Sequence, residues 1–153
     1  REEAKKTMIA ELIPLAFVLT PNLPEAEVLS EMTISTLDDM KAAARVIRNL
    51  GAENVVLKGG HLAGDAVDLL YDGVNFRTFD SPRIETSDTH GTGCTYSAAI
   101  ATLLGRGMDV AGAVEEAKRY ITAAIRQAWR IGGGHGPTNH LAPLFKTGGI
   151  SMR

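Results

Sequence analysis

A chain of 153 residues is long enough for a single domain with a real core, since folding at this size buries roughly 70% of the unfolded surface. Hydrophobic residues make up 44% and charged residues 22%, as in ordinary globular proteins, and a formal charge of −2 without a basic patch gives no electrostatic reason to bind nucleic acid. No apolar run reaches the roughly 18 residues of a membrane span and the start REEAKK lacks the apolar core of a signal peptide, so no membrane partner and a cytoplasmic location are expected.

In chain order, REEAKKTMIAELI puts Ala4, Met8 and Leu12 on one stripe with Ile9 alongside, which predicts an amphipathic helix ending near Pro14. LAFVL then reads as a buried strand stopped by TPN. LPEAEVLSEM predicts a short helix with Pro24 in its first turn and acids close behind. Thr36 is placed to cap the next helix, whose core stripe is Leu37, Met40, Ala44, Ile47 and Leu50, and Gly51 ends it. NVVLK is a second buried strand, followed by Gly59 and Gly60. The Asp-Gly pair inside AVDLLYDGVNFRTF lies between two β-prone runs and predicts a hairpin.

Gly91, Thr92 and Gly93 lead into a helix expected to begin around Cys94, and TYSAAIATLL is apolar nearly all round, as in a buried helix. DVAGAVEEAKRYITAAIRQAWRIGGG predicts a long helix capped by Asp109, with Val110, Val114, Ile121, Ile125 and Trp129 or Ala128 toward the core and the glycines as its stop. Residues 145–153 carry too little apolar material to be more than a loose tail. The alternation predicts an α/β layered fold, a mostly parallel sheet flanked by helices with an antiparallel hairpin at its edge. Two parallel-type strands and a hairpin are few for so many helices, so the domain reads as part of something larger.

Chemistry concentrates at the sole cysteine. Cys94 cannot form an intramolecular disulfide, so it is either a small buried hydrophobe or a reactive thiol. Glycines before a helix let backbone N–H groups converge on an anion, and the helix N-terminus adds its positive end, which together suit phosphate. A thiol at such a position gives up its proton more readily and could act as a base. A plain glycine turn into a core helix explains GTG equally simply.

TPNLPEAE offers Asn22, Glu25 and Glu27 just after a strand, where α/β proteins place ligand groups, and such oxygens suit Mg2+. Their plain reading is an Asn turn and acids at a helix start. Lys58, at a strand end, is either a solvated lysine or a point charge on phosphate. His61, His90, His135 and His140 raise the question of zinc, but Gly136 and Pro137 separate the last two from any shared helical face. GGGHGPTNH reads instead as a glycine-rich loop beside a ligand.

TPNLPEAEVL, VVLKGGH, DLLYDG, THGTGCTYSAAIA and GGGHGPTNH, in this order, resemble the hydroxymethylpyrimidine/phosphomethylpyrimidine kinases of thiamine biosynthesis, within the ribokinase-like superfamily. The likeness runs from about residue 8 to residue 144, and GTGC is more specific than the superfamily's usual GTGD. The resemblance implies phosphorylation by ATP of 4-amino-5-hydroxymethyl-2-methylpyrimidine, and then of its monophosphate to the diphosphate. It implies an anion hole from the amides of Gly91, Thr92 and Gly93, with Cys94 as base where the superfamily carries Asp. It also implies Asn22 and Glu25 for Mg2+ and phosphate, in an N-x-x-E pattern, and Lys58 on ATP phosphates.

Tyr96 departs from the family's usual aliphatic residue. The larger departure is at the front, where the family's first strands and most pyrimidine-binding residues have no counterpart in residues 1–153. The chain is therefore expected to be the C-terminal, ATP-side portion of one ribokinase-like domain, lacking the N-terminal portion of the same fold, and homo-oligomeric as the family usually is. The rival readings are a pyridoxine-type kinase, a non-catalytic kinase-like sensor module, and a thiol hydrolase, which lacks an evident His–Asp partner for Cys94.

Overall fold

Residues 2–60 and 66–143 are described by the computed structural model, and they fall into two units, Arg1–Pro82 and Arg83–Arg153. His61 and the tail 145–153 lie outside the described residues.

The first unit opens with α1 (Glu2–Thr7), continued by a π-helical turn over Met8–Leu12 and a 3-10 turn over Ile13–Leu15. Helical geometry thus persists to Pro14, as the spacing predicts, and the ring, which cannot donate an N–H, falls where the helix tightens and stops. The stripe itself is not buried: Met8 and Leu12 are exposed, Ile9 is half-buried, and Ile13 alone enters the core.

LAFVL differs from its expected buried strand. Only β1 (Val18–Leu19) is extended and paired, while Leu15 is 81% and Phe17 50% exposed. The reason is position: among the described residues β1 pairs with a neighbour on one side only, and just two residues take part.

Helix α2 (Leu23–Ser30) starts at Asn22 with Pro24 in its first turn and ends at Glu31, whose φ of 56° is left-handed. Helix α3 (Leu37–Asn49) is capped by Thr36, whose hydroxyl accepts from the N–H of Asp39 at 3.1 Å while the Asp39 carboxylate accepts from the N–H of Thr36 at 2.9 Å. Met40, Ala43, Ala44 and Ile47 are buried along one face of α3, and each large side chain so covered contributes about 2 kcal/mol.

That face packs into a core with Ile13, Leu23, Ala26 and Leu29 and with the strands β2 (Asn54–Leu57) and β3 (Asp68–Tyr71). With β4 (Phe76–Phe79) the sheet runs β1-β2-β3-β4. β1 and β2 are parallel, with Val18 opposite Asn54, whereas β2–β3 and β3–β4 are antiparallel, with Leu57 opposite Leu69 and Tyr71 opposite Phe76. Among the described residues the sheet is therefore mixed, its parallel part confined to one pair, and the expected hairpin borders it. Asp72 builds the hairpin turn by accepting from the N–H groups of Val74 and Asn75, and Gly73 supplies the left-handed φ of 95°.

The second unit holds α4 (Thr92–Gly105) and α5 (Val110–Arg126), packed against each other. Asp109 caps α5 by accepting from the N–H of Gly112 at 2.9 Å. Val114, Ala117, Ile121 and Ala124 of α5 are buried, as are Tyr96 and Ile100 of α4. Two expectations need correction. Helix α4 buries only Thr95, Tyr96 and Ile100, because within this unit one helix partner covers one of its faces. Helix α5 stops at Arg126, before the glycines: the N–H of Asn139 takes the carbonyl of Ala124, and Trp129 lies beyond the helix and is exposed.

Candidate functional site

In the second unit the sequence THGTGC forms a tight entry into α4. Gly91 is its N-cap with φ 83°, a left-handed value that costs a residue with a Cβ, so glycine sets the angle of approach. The helix begins at Thr92, two residues earlier than the sequence suggests. Thr92 is spoken for: its N–H donates to the carbonyl of Thr89 at 3.2 Å and its hydroxyl to the same oxygen at 2.7 Å. The N–H groups of Gly93 and Cys94 make no hydrogen bond among the described residues, as expected for the open first turn of a helix. Of the three amides expected to form an anion hole, that of Thr92 is therefore engaged within the loop, and Cys94 brings an available N–H that the sequence reading did not count. The Cys94 side chain is exposed among the described residues.

One residue further on, Thr95 is buried and its hydroxyl lies 2.9 Å from Nε2 of His140, a hydrogen bond whose donor depends on the imidazole tautomer. The backbone carbonyl of His140 accepts from the Tyr120 hydroxyl at 3.0 Å. The glycine-rich segment thus reaches the start of α4. His135 also faces this loop, its Nδ1 2.8 Å from the carbonyl of Ser87. Each of these two histidines has a structural partner, and among the described residues no cluster of three metal-binding side chains occurs.

In the first unit, Asn22, Glu25 and Lys58 converge. Lys58 forms an isolated parallel bridge with Asn22, and its N–H donates to the carbonyl of Pro21 at 3.0 Å. Asn22 and Glu25 form a capping box: Asn22 Oδ1 accepts from the N–H of Glu25 at 2.9 Å, and Glu25 Oε2 accepts from the N–H of Asn22 at 2.7 Å. These oxygens already satisfy helix donors, and what remains for a cation is the second carboxylate oxygen of the exposed Glu25. Such a donor set fits Mg2+, which keeps several waters and takes much of its coordination from substrate phosphates. Glu27 is directed elsewhere, its Oε1 accepting from the N–H of Ile34 at 2.8 Å. Gly59, beside Lys58, is required sterically: a Cβ there would collide with the carbonyl of Val67, and its N–H donates to buried Asp68 at 3.0 Å.

Sequence reasoning missed Asp88, Gly136 and Thr138. Asp88 is buried and accepts from the N–H of Gly136 at 2.9 Å, and Thr138 is buried with no hydrogen-bond partner for its hydroxyl among the described residues. The available signal was the pairing of DTHGTGC with GGGHGPTN, both glycine-punctuated, although 48 residues separate Asp88 from Gly136.

A model of the phosphomethylpyrimidine kinase family matches residues 1–139. The chain belongs to that family. Among phosphomethylpyrimidine kinase relatives, it is 57% identical over 131 residues to the thiamine biosynthesis bifunctional protein ThiED of Geobacter sulfurreducens, covering 85% of this chain and 27% of that protein. It is 45% identical over 144 residues to the hydroxymethylpyrimidine/phosphomethylpyrimidine kinase of Bacillus subtilis, covering 93% of this chain and 53% of the relative. In structure it resembles a Bacillus subtilis pyridoxal kinase solved with ADP, at a TM-score of 0.89 and 44% identity, covering 94% of this chain and 57% of the other. The fold is ribokinase-like, and the chain spans about half the length of the single-function relatives it matches. Among the described residues no helix is long and apolar enough to cross a membrane.

Proposed function

We propose that the chain is the ATP-side portion of a kinase of thiamine biosynthesis. It transfers the γ-phosphoryl of ATP to the hydroxymethyl of 4-amino-5-hydroxymethyl-2-methylpyrimidine, then phosphorylates the monophosphate to the diphosphate. The observation that carries the reading is the entry to α4, where Gly91 turns the chain so that the Gly93 and Cys94 amides are open beside an exposed thiol. Family membership and the names of the relatives support it.

In this reading the amides of Gly93 and Cys94, with that of Gly91, face the phosphoryl oxygens, where charge is spread in the transition state. Cys94, as the base, accepts the proton of the substrate hydroxyl at Sγ while the hydroxyl oxygen bonds to the γ-phosphorus and the bond to the β–γ bridging oxygen of ATP breaks, releasing ADP. Thr92 serves by fixing the Thr89 carbonyl, so that the loop holds its shape. Lys58 places a positive charge on ATP phosphates. Asn22 orders the helix start through its cap, and Glu25 offers its free carboxylate oxygen to Mg2+. When bound with ATP, Mg2+ neutralises phosphate charge. The substrates are small soluble metabolites, consistent with a cytoplasmic enzyme, and the family resemblance favours a homo-oligomer.

The test is to incubate the intact protein with Mg-ATP with and without the hydroxymethylpyrimidine and follow ADP and the pyrimidine phosphates. Pyrimidine-dependent ADP formation with both phosphates appearing in sequence is the expected result. Binding without turnover would instead identify a sensor module. A second reading, a pyridoxal kinase, is favoured by the structural likeness to the Bacillus subtilis enzyme. Faster turnover of pyridoxal than of the pyrimidine would decide for it.

A further inference from the structure

We propose that Asp88 is a positioning residue for nucleotide binding, holding the entry to α4 through the glycine-rich segment that follows α5. The proposal rests on the kinase reading and adds a residue to which that reading gives no role. Asp88 is 8% exposed, and its Oδ1 accepts from the N–H of Gly136 at 2.9 Å. The bond is one rung of a short ladder. The N–H of His90 donates to the carbonyl of Gly136 at 3.0 Å, the N–H of Thr138 donates to the carbonyl of His90 at 3.2 Å, and His90 and Pro137 form a parallel bridge. The N–H of Asp88 itself donates to the Thr86 hydroxyl at 3.1 Å.

The next residue after this ladder is Gly91, whose left-handed φ launches α4. Any rotation of residues 88–90 is therefore passed to the amides of Gly91, Gly93 and Cys94. A buried carboxylate is a costly device unless its oxygens are used, and here one oxygen satisfies a buried N–H that has no other acceptor among the described residues. The partner position leaves no room for a Cβ unless its neighbours shift. A Cβ on residue 136 would stand 2.5 Å from Asp88 Oδ1 and 2.5 Å from the Trp129 carbonyl oxygen, so the carboxylate packs directly against the backbone of the segment.

The test uses the intact protein and the non-hydrolysable nucleotide AMP-PCP, with affinities measured by calorimetry below the melting transition of each variant. Asp88→Asn keeps an acceptor oxygen in the same place, and it should bind AMP-PCP within about threefold of wild type. Asp88→Ala leaves the Gly136 N–H without an acceptor and should bind about tenfold or more weakly, with pyrimidine affinity unchanged. Gly136→Ala should reproduce that loss from the other side of the contact, and it decides the matter if Asp88→Ala does not fold. Wild-type affinity in folded Asp88→Ala or Gly136→Ala would overturn the proposal, as would equal losses in Asp88→Asn and Asp88→Ala. A proportional loss of pyrimidine and nucleotide affinity would reduce Asp88 to a staple of the fold and overturn it too. A wild-type protein that fails to bind AMP-PCP would remove the kinase reading along with this one, whereas wild-type binding that Asp88→Ala leaves intact would remove this one alone.

Discussion

At the scale of the residue, the exposure of Cys94 at the start of α4 makes its proposed role separable from packing. The first phosphorylation attacks with a neutral alcohol, so loss of a positioned base should cost on the order of 10²–10⁴ in rate. The second attacks with a phosphate oxygen already mostly ionised at neutral pH, since the second pKa of a phosphate monoester is about 6. In the intact protein, Cys94→Ala should cripple phosphorylation of the alcohol and largely spare the monophosphate. Equal losses in the two rates, measured on one purified variant, would refute the base. Glu25 invites a similar separation. Its Oε2 completes the capping box with Asn22, and glutamine also completes such a box, so Glu25→Gln should melt at the wild-type temperature. It should nevertheless need more Mg2+ for half-maximal rate, because hard cations prefer the charged oxygen. An unchanged Mg2+ requirement would return Glu25 to a capping role alone.

At the scale of the element, helix starts carry stability and, in the proposed reading, function. Hydrogen bonds from the backbone N–H of Ser35, the side chain of Thr36 and the backbone N–H of Thr36 hold the Asp39 carboxyl below its ordinary pKa. A carboxylate depressed in the folded state contributes stability that is fully present above its unfolded pKa and is lost as the pH falls through the lower, folded value. Asp39→Asn should therefore be less stable than wild type at neutral pH, and the two should converge in acid. Urea titrations at neutral pH and in acid check this, and a difference independent of pH would mean the charge is not what matters. The entry to α4 is built for a ligand in the present reading, not for a cap, since no side chain caps it. Gly93→Val should abolish AMP-PCP binding while leaving pyrimidine binding largely intact, because a branched side chain crowds the amides and narrows their backbone angles. Unchanged nucleotide affinity in that variant would mean the loop is only a turn.

At the scale of the whole molecule, the decisive fact is the match to about half the length of the single-function relatives. Leu12, Leu15, Phe17 and Val28 of the first unit are exposed large apolar side chains, and β1 pairs on one side only among the described residues. Exposed apolar surface of this kind marks interaction sites or ligand grooves, and in the proposed reading the rest of the kinase fold covers it. Residues 1–153 produced alone should therefore show no pyrimidine kinase activity with Mg-ATP. Turnover comparable to that of a full-length family member would show that this half is sufficient.

Local rules determined much of this protein. The caps at Thr36 and Asp109, the strand NVVLK, the Asp-Gly hairpin and the α3 stripe of Met40, Ala44 and Ile47 were legible because each depends on residues within one or two turns of chain. The glycine turn into α4 was legible for the same reason, as was the cysteine in the first turn of that helix. Burial was not local. LAFVL and the flank of α4 are apolar in sequence yet partly exposed, because exposure depends on which neighbours cover a surface, and among the described residues β1 and α4 are covered on one side. The end of α5 was set by Asn139, and the Asp88–Gly136 contact by residues 48 positions apart. Such pairings form only when the tertiary structure brings distant backbone donors and acceptors within 3 Å, and no periodicity in the sequence records them.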